Sequence, residues 1–445
     1  MSTSGPFPRV RRHLSADGLY ALVRSAFSKV SDGRCSSAPI SMVDALMSAF
    51  AMFSLKDPSL LAFDARRNDH NMKSLFGIGT IPSDTEMREI LDAVNPDELR
   101  ASFGDVFREV QRGKGLQSFV FSEGCYLLAL DGTGYFTSQK IHCNSCLEKV
   151  NKETGEVTYQ HQMLGAAIIH PDHKEVIPLA PEPITKQDGS TKNDCERNAA
   201  KRLLRRIRQE HPHLKLLVVE DGLASNAPHI RDLIELGMHF LLGVKPGDHA
   251  YLFQRLAEAY EQDRVTTIIW NEGEVMYEIA FAHQLPLNES NQDLLVNFLQ
   301  YTEYTADGHR QKLFSWVTGE SLTRDNANHM TRGGRSRWKI ENETFNTLKN
   351  QGYHFEHNYG HGHQNLSVVF AMLMMLAFLV DQAQQFCCPL FRAVWEKLGS
   401  KRALWDNLRS HFRHFLFRSM WDLYEAILYD RCKEVPLPVY SYDSS

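Results

Sequence analysis

The chain has little of what would take it out of the cell or into a membrane. The stretch MSTSGPFPRVRRHLSADG at the N-terminus is basic, but no apolar run follows it, so it is not expected to act as a secretory signal. The longest apolar run, Leu366 to Val380, is shorter than the roughly 18 residues that span a bilayer, and polar residues flank it. It reads as a buried helix. Cysteine is scarce, 8 in 445 residues, which excludes a disulfide scaffold and points to reduced thiols in a cytoplasmic setting. Charge of one sign is not in excess either: 49 Lys and Arg face 54 Asp and Glu, for a net charge of -5. No global attraction to nucleic acid follows, so DNA contact has to come from local basic patches. Internal repeats and low-complexity linkers are absent from the sequence as well.

What is present suits a globular protein of two or three domains: 43% of the residues are hydrophobic and 10% of the chain is aromatic, over a length that exceeds one comfortable core. From Leu14 to Val110 the spacing predicts helices, among them ISMVDALMSAFAMFSL from Ile40, with Ser83 or Asp84 capping TEMREILDAV. This all-helical region, 1–115, reads either as a structural cap or as a DNA-end binding module. After Gly115 the pattern changes. CYLLAL from Cys125 is a buried strand running into Asp131, Gly132, Thr133 and Gly134, and MLGAAIIH and EVIPLAPEPI flank a turn at Pro171 to Lys174. CERNAAKRLLRRIRQE is an amphipathic helix with Ala199, Leu203, Leu204 and Ile207 on one face, and LKLLVVEDG is a second buried strand ending at Asp221. A helix, APHIRDLIELG, and a strand, HFLLGVKPGD, follow. The order implies a mixed α/β sheet flanked by helices over 116–246, interrupted by a β-rich insertion at 247–318 and resumed at 319–390. A helical region, 391–445, ends in a polar tail.

Asp131 and Asp221 each follow a buried strand, where a side chain emerges at the sheet rim. An acid before glycine is also an ordinary turn former. Two such strands side by side would bring both carboxylates to one hard divalent cation, which takes oxygen ligands. A third carboxylate is offered by Glu341, within the basic stretch RGGRSRWKIENETFNTLKNQGYHFEHNYGHGHQN that starts at Arg332. Other basic patches are KRLLRRIR from Lys201 and scattered Arg and Lys after Arg392.

The combination of LALDGTGY, VVEDG and RSRWKIENETFNTLK, in that order, resembles the DDE-type insertion-sequence transposases. The resemblance is to the cut-and-paste group, whose RNase H-like catalytic domain carries a β-rich insertion before the glutamate, and it covers roughly Leu127 to Phe378. It implies a DNA transposase dependent on Mg²⁺, with Mn²⁺ as substitute, in which Asp131, Asp221 and Glu341 are catalytic and hold the metal. Water would cut the 3′ strand at an element end, and the freed 3′-OH would attack target DNA. Double-stranded DNA is the implied partner, and paired-end cutting implies a homodimer on it, in the cytoplasm and, in a bacterium, at the nucleoid. A non-catalytic, domesticated DNA-binding protein or a nuclease of the same fold is the alternative. The group also has a Tyr, Arg, Glu, Lys signature: Arg337 stands four before Glu341, Gly334 stands where the tyrosine falls, and Leu348 where the lysine falls, with Lys349 next.

That offset leaves Glu343 as a competitor of Glu341. On an α-helix the two lie about 200° apart, so one alone faces the sheet. Glu341 is preferred because Trp338, Phe345 and Leu348 would form an apolar stripe beside it, leaving Glu343 toward solvent. Arg337, Lys349 and Trp338 are the expected DNA contacts, the cations through phosphates; an i,i+4 pair of Arg337 with Glu341 is the bland reading. Trp316 or Trp270 would stack on an extruded base or pack in the core. Glu196 is a further metal ligand by the same resemblance. His142, Cys143 and Cys146, joined by His161 or His170, would form a structural zinc site, or else the cysteines stay reduced at the surface. His354, His357, His361 and His363 read as a loop with no catalytic role.

Overall fold

The computed structural model describes residues 11–35, 37–186 and 195–430. The start of the basic N-terminal stretch and the polar C-terminal tail lie outside these residues.

Twelve strands form one sheet: β1 (Val120–Ser122), β2 (Cys125–Ser138), β3 (Leu147–Val150), β4 (Val157–Ile169), β5 (Ile177–Pro178), β6 (Glu182–Ile184), β7 (Leu216–Glu220), β8 (His239–Gly243), β9 (Val265–Glu272), β10 (Val275–Asn288), β11 (Asn291–Tyr304) and β12 (Arg310–Thr318). The order is β3-β4-β2-β7-β8-β12-β11-β10-β9, with β1 beside β2, and β5 and β6 along β4. Strand β2 pairs antiparallel with β4 and parallel with β7, and β7 pairs parallel with β8. Three antiparallel strands followed by two parallel ones, with helices on the faces, make the RNase H-like α/β fold expected of the sequence. The central runs LLAL and LLVV are apolar without alternation because both faces of the sheet are covered there, and every residue of β7 is buried.

The region 247–318, read from the sequence as β-rich, opens with a helix, Ala250–Glu261, before its strands β9 to β12. Those strands continue the main sheet: Trp316, Val317 and Thr318 of β12 pair with Gly243, Leu242 and Leu241 of β8.

Six α-helices between Ala16 and Arg112 and three between Pro389 and Tyr429 pack around the helix Leu366–Cys387. Ser83 closes a capping box with Glu86, which fixes the start of the helix Asp84–Asp92. The Leu366–Cys387 helix is long and apolar enough to cross a membrane, yet 94% of its most apolar window is buried inside the protein. One apolar core runs from Leu14 to Ile427. A buried ionic knot holds the parts to each other: Lys56, at the end of the helix Met42–Leu55, donates to Asp381 and to the Ser54 carbonyl at 2.9 Å. Tyr353 also donates to Asp381, and the Lys56 ammonium lies 4.4 Å from the Tyr353 ring centre and 4.1 Å from that of Trp405.

Candidate active site

Asp131 lies in the interior of β2, which continues to Ser138, and this corrects its expected place at a strand end. The strand goes on because β4 accompanies it, Asp131 pairing with Gly165 and Ser138 with Tyr159. On the other side the parallel pairing with β7 ends at Ala129 and Val219. Extending that register sets Asp131 level with Asp221, which stands just past β7 in a turn where its carboxylate accepts the Leu223 amide at 3.0 Å. The two acids thus flank the gap that opens where β7 stops.

Glu341 arrives from beyond the strands β9 to β12. Its segment, Ile340–Phe345, is a π-helical turn, a rare form that often marks functional sites, followed by the α-helix Asn346–Asn350. Ile340, Phe345 and Leu348 are buried against the sheet. Phe345 sits over Gly165, where a Cβ would come within 2.8 Å of its ring. The absence of a side chain at Gly165 therefore lets the Glu341 helix approach the strand pair that carries Asp131.

The widened turn upsets the α-helical stripe. Trp338 is 45% exposed and does not join Phe345 and Leu348 in the core; its ring lies 5.7 Å from the Lys339 ammonium. Glu341 is exposed and Glu343 half-buried, the reverse of the expected burial. Their electrostatic surroundings separate them. The Glu341 charge acts on Asp131, whereas that of Glu343 acts on Lys339 and Lys401.

Asp131 and Glu196 feel the acids around them. Burial raises the Asp131 pKa, the Arg337 guanidinium and the Gly132 amide pull it down, and Glu341 and Asp221 raise it again, for a net rise. Glu196, the first residue of the helix Glu196–Glu210, is raised by burial and by the charges of Asp131 and Asp221. Its carboxylate lies over the backbone of Gly132, where a Cβ would be 2.1 Å from Oε1. A cleft of about 310 Å³ is lined by Asp131, Glu196, Glu220, Asp221 and His229, with Lys201 at its side. His229 Nε2 is 2.6 Å from Glu220 Oε2, a buried pair. The acids gather here without closing: among the described residues no three carboxylates bring oxygens within 4.8 Å of one another.

Arg337 pairs with Asp131 at 3.4 Å, not with Glu341. Lys349 pairs with Glu356 at 2.8 Å. The rest of the basic stretch is also committed, Arg332 to Asp172, Arg335 to Glu303 at 3.1 Å, and Lys339 to the carbonyls of Pro171 and His173. In the Lys201 run, Lys201 and Arg205 meet Asp232, Arg202 meets Glu182, and Arg206 meets Asp97 and Glu182. Neither run is an open basic patch. Gly334 replaces the signature tyrosine because Trp316 fills that place: a Cβ on Gly334 would be 2.5 Å from the indole. Trp316 is accordingly a core residue, and Trp270 stacks on Tyr277 with ring centres 5.2 Å apart.

Cys143, Cys146, His161 and His361 converge into a buried group whose ligand atoms all lie within 4.8 Å of one another, a Cys₂His₂ cluster able to bind a metal. His170 and His142 are not in it. His361, read in the sequence as part of a loop with no catalytic role, supplies the fourth donor from 215 residues beyond Cys146.

Residues 159–379 match the family model described as transposase DDE domain. The chain belongs to the transposase DDE domain family. The match takes in Glu196, Asp221, Arg337 and Glu341 of this transposase, while Asp131 precedes it on the strand paired to the matched β4. Among curated proteins nothing matches the chain.

Proposed function

We propose that this transposase cleaves the ends of an insertion sequence and joins them to target DNA, using Asp131, Asp221 and Glu341 to hold Mg²⁺. The observation that carries this reading is that the charges of Asp221 and Glu341 both act on Asp131, with Asp221 and Glu196 lining the same cleft as Asp131. The donor set fits a hard cation: it is all carboxylate oxygen, and among the described residues Arg337 is the cation within ion-pair reach of Asp131. Divalent metal, when bound, supplies a Lewis acid at the phosphodiester and stabilises the attacking and leaving oxygens. Glu196 is a fourth candidate ligand. Arg337 would take a DNA phosphate through its planar fork once released from Asp131, and Lys349 would meet one as a point charge once Glu356 gives way. Trp338, exposed next to Arg337 in the chain, would offer a stacking face.

In this reading 116–246 and 319–390 form the catalytic domain, 247–318 its insertion, 1–115 a helical N-terminal domain and 391–445 a C-terminal helical region. The protein would act on cytoplasmic DNA as a dimer, because two ends must be cut together.

The test is incubation of the purified protein with DNA carrying the sequences that flank its own gene, in Mg²⁺ or Mn²⁺. Nicks leaving 3′-OH ends, followed by products joined to a target plasmid, are expected. Full cleavage by Asp131→Asn or Asp221→Asn protein would defeat the assignment, and cutting without joined products would make the protein a nuclease of the same fold.

A further inference from the structure

We propose that Cys143, Cys146, His161 and His361 form a structural zinc site that fastens the segment following the Glu341 helix to the far end of the Asp131 strand. This goes beyond the functional reading and does not depend on it.

The spacing of the four donors carries the proposal. Zinc bound by sulfur at about 2.3 Å and by nitrogen at about 2.0–2.1 Å, at tetrahedral angles, sets two sulfurs about 3.8 Å apart and sulfur from nitrogen about 3.5 Å. Here the two Sγ atoms are 3.7 Å apart, His161 Nε2 is 3.3 Å from Cys143 Sγ and 3.4 Å from Cys146 Sγ, and His361 Nε2 is 3.2 Å from Cys146 Sγ. The two sulfurs are also far beyond the roughly 2.05 Å of a disulfide. Thiolate and imidazole suit zinc and exclude the hard cation of the carboxylate cleft.

The cluster's surroundings serve the same end. All four residues are buried, and it is Nε2 of each imidazole that faces the sulfurs. Aromatic rings hold the imidazoles: Tyr135 stacks on His161 with centres 5.7 Å apart, and Phe136 lies 4.3 Å from His361. Both aromatics belong to β2, a few residues past Asp131, and Phe136 is the register partner of His161 on β4.

Three separate parts of the chain thus meet at one point. The Cys143 and Cys146 loop follows β2, His161 comes from β4, and His361 comes from the loop after the Glu341 helix. The same junction is sewn by the Asn144 amide to the His363 carbonyl at 3.1 Å and the Ser145 hydroxyl to the Gln364 carbonyl at 2.9 Å. A metal there would limit how far the Glu341 segment can drift from β2, as structural zinc does in small domains that depend on it.

The test is metal analysis of the full chain after gel filtration. One zinc per chain is expected, lost in the Cys143→Ser, Cys146→Ser double variant and kept in His170→Asn. Should the double variant not fold, the unaltered protein decides: grown with Co²⁺ it should show visible d–d bands and a thiolate-to-cobalt charge-transfer band that excess Mg²⁺ does not remove. Removing zinc with a chelator should raise amide exchange across residues 356–365. Substoichiometric zinc together with no cobalt spectrum, or full zinc retention by a folded double variant, would overturn the site; unchanged exchange on zinc removal would overturn its fastening role.

Discussion

Phe345 rests on Gly165, and Gly165 is the cross-strand partner of Asp131. The separation between the Glu341 segment and the Asp131 strand is therefore set by a missing side chain. A Cβ at Gly165 would stand 2.8 Å from Phe345 Cζ, too close for the ring to stay. Gly165→Ala should cost about 1–3 kcal/mol through overpacking. Displacing the Glu341 segment by even ~1 Å should slow cleavage by about 10²-fold. Melting and single-turnover cleavage of Gly165→Ala check this, and Phe345→Leu in the same background should restore part of the rate.

Metal binding should be acid-sensitive at higher pH than carboxylates ordinarily require. Asp131 and Glu196 both have pKa values raised above 3.8 and 4.5, and protons compete with metal for them. The rise in melting temperature given by Mg²⁺ should be largest at neutral pH and shrink as pH falls through those raised values. Without metal the sign reverses: a raised carboxylate favours folding in its protonated form, so its contribution is lost as pH climbs from the unfolded value to the folded one. Differential scanning fluorimetry from pH 4 to 8, with and without Mg²⁺, reads both effects.

The continuous apolar runs before Asp131 and Asp221 were legible in the sequence because doubly covered parallel strands leave no alternation to confuse. What β2 does after Asp131 was not, since its continuation to Ser138 depends on pairing with β4 and Asp-Gly-Thr-Gly reads locally as a turn. Trp338 was misplaced for a different reason. A period of 3.6 residues assigns it to the core, but the chain passes through a π turn at Ile340–Phe345, and no local pattern announces one. His361 was missed because its partners lie across the fold; the one signal was the excess of histidine between His354 and His363, which named no partner. Gly334 was seen as a departure from the signature, and only the place of Trp316 explains it.

The buried Lys56 and Asp381 pair joins the N-terminal helices to the central helix, and each charge has lost its water. Asp381→Ala should cost about 3–5 kcal/mol, because it leaves Lys56 buried and uncompensated. Replacing both, with Lys56→Met and Asp381→Leu, should cost less than the single change. Urea unfolding of the three proteins makes the comparison.

His229 lines the cleft, and its pKa reflects opposed effects: burial lowers it, while the hydrogen bond and charge of Glu220 raise it to a net upward shift. A histidine raised in the fold stabilises fully below the unfolded value of about 6.5 and loses that contribution as pH rises through the folded value. The stability gap between the natural protein and His229→Asn should therefore narrow above pH 6.5. Equal gaps at pH 5.5 and pH 8.5 would contradict the pairing.

Binding of Mn²⁺, followed by its electron paramagnetic resonance, tests most directly whether Asp131, Asp221 and Glu341 form the metal site. Asp131→Asn, Asp221→Asn and Glu341→Gln should each weaken binding at least tenfold, and Glu343→Gln should leave it unchanged. Normal affinity in the three variants, or loss of binding in Glu343→Gln alone, would contradict the account.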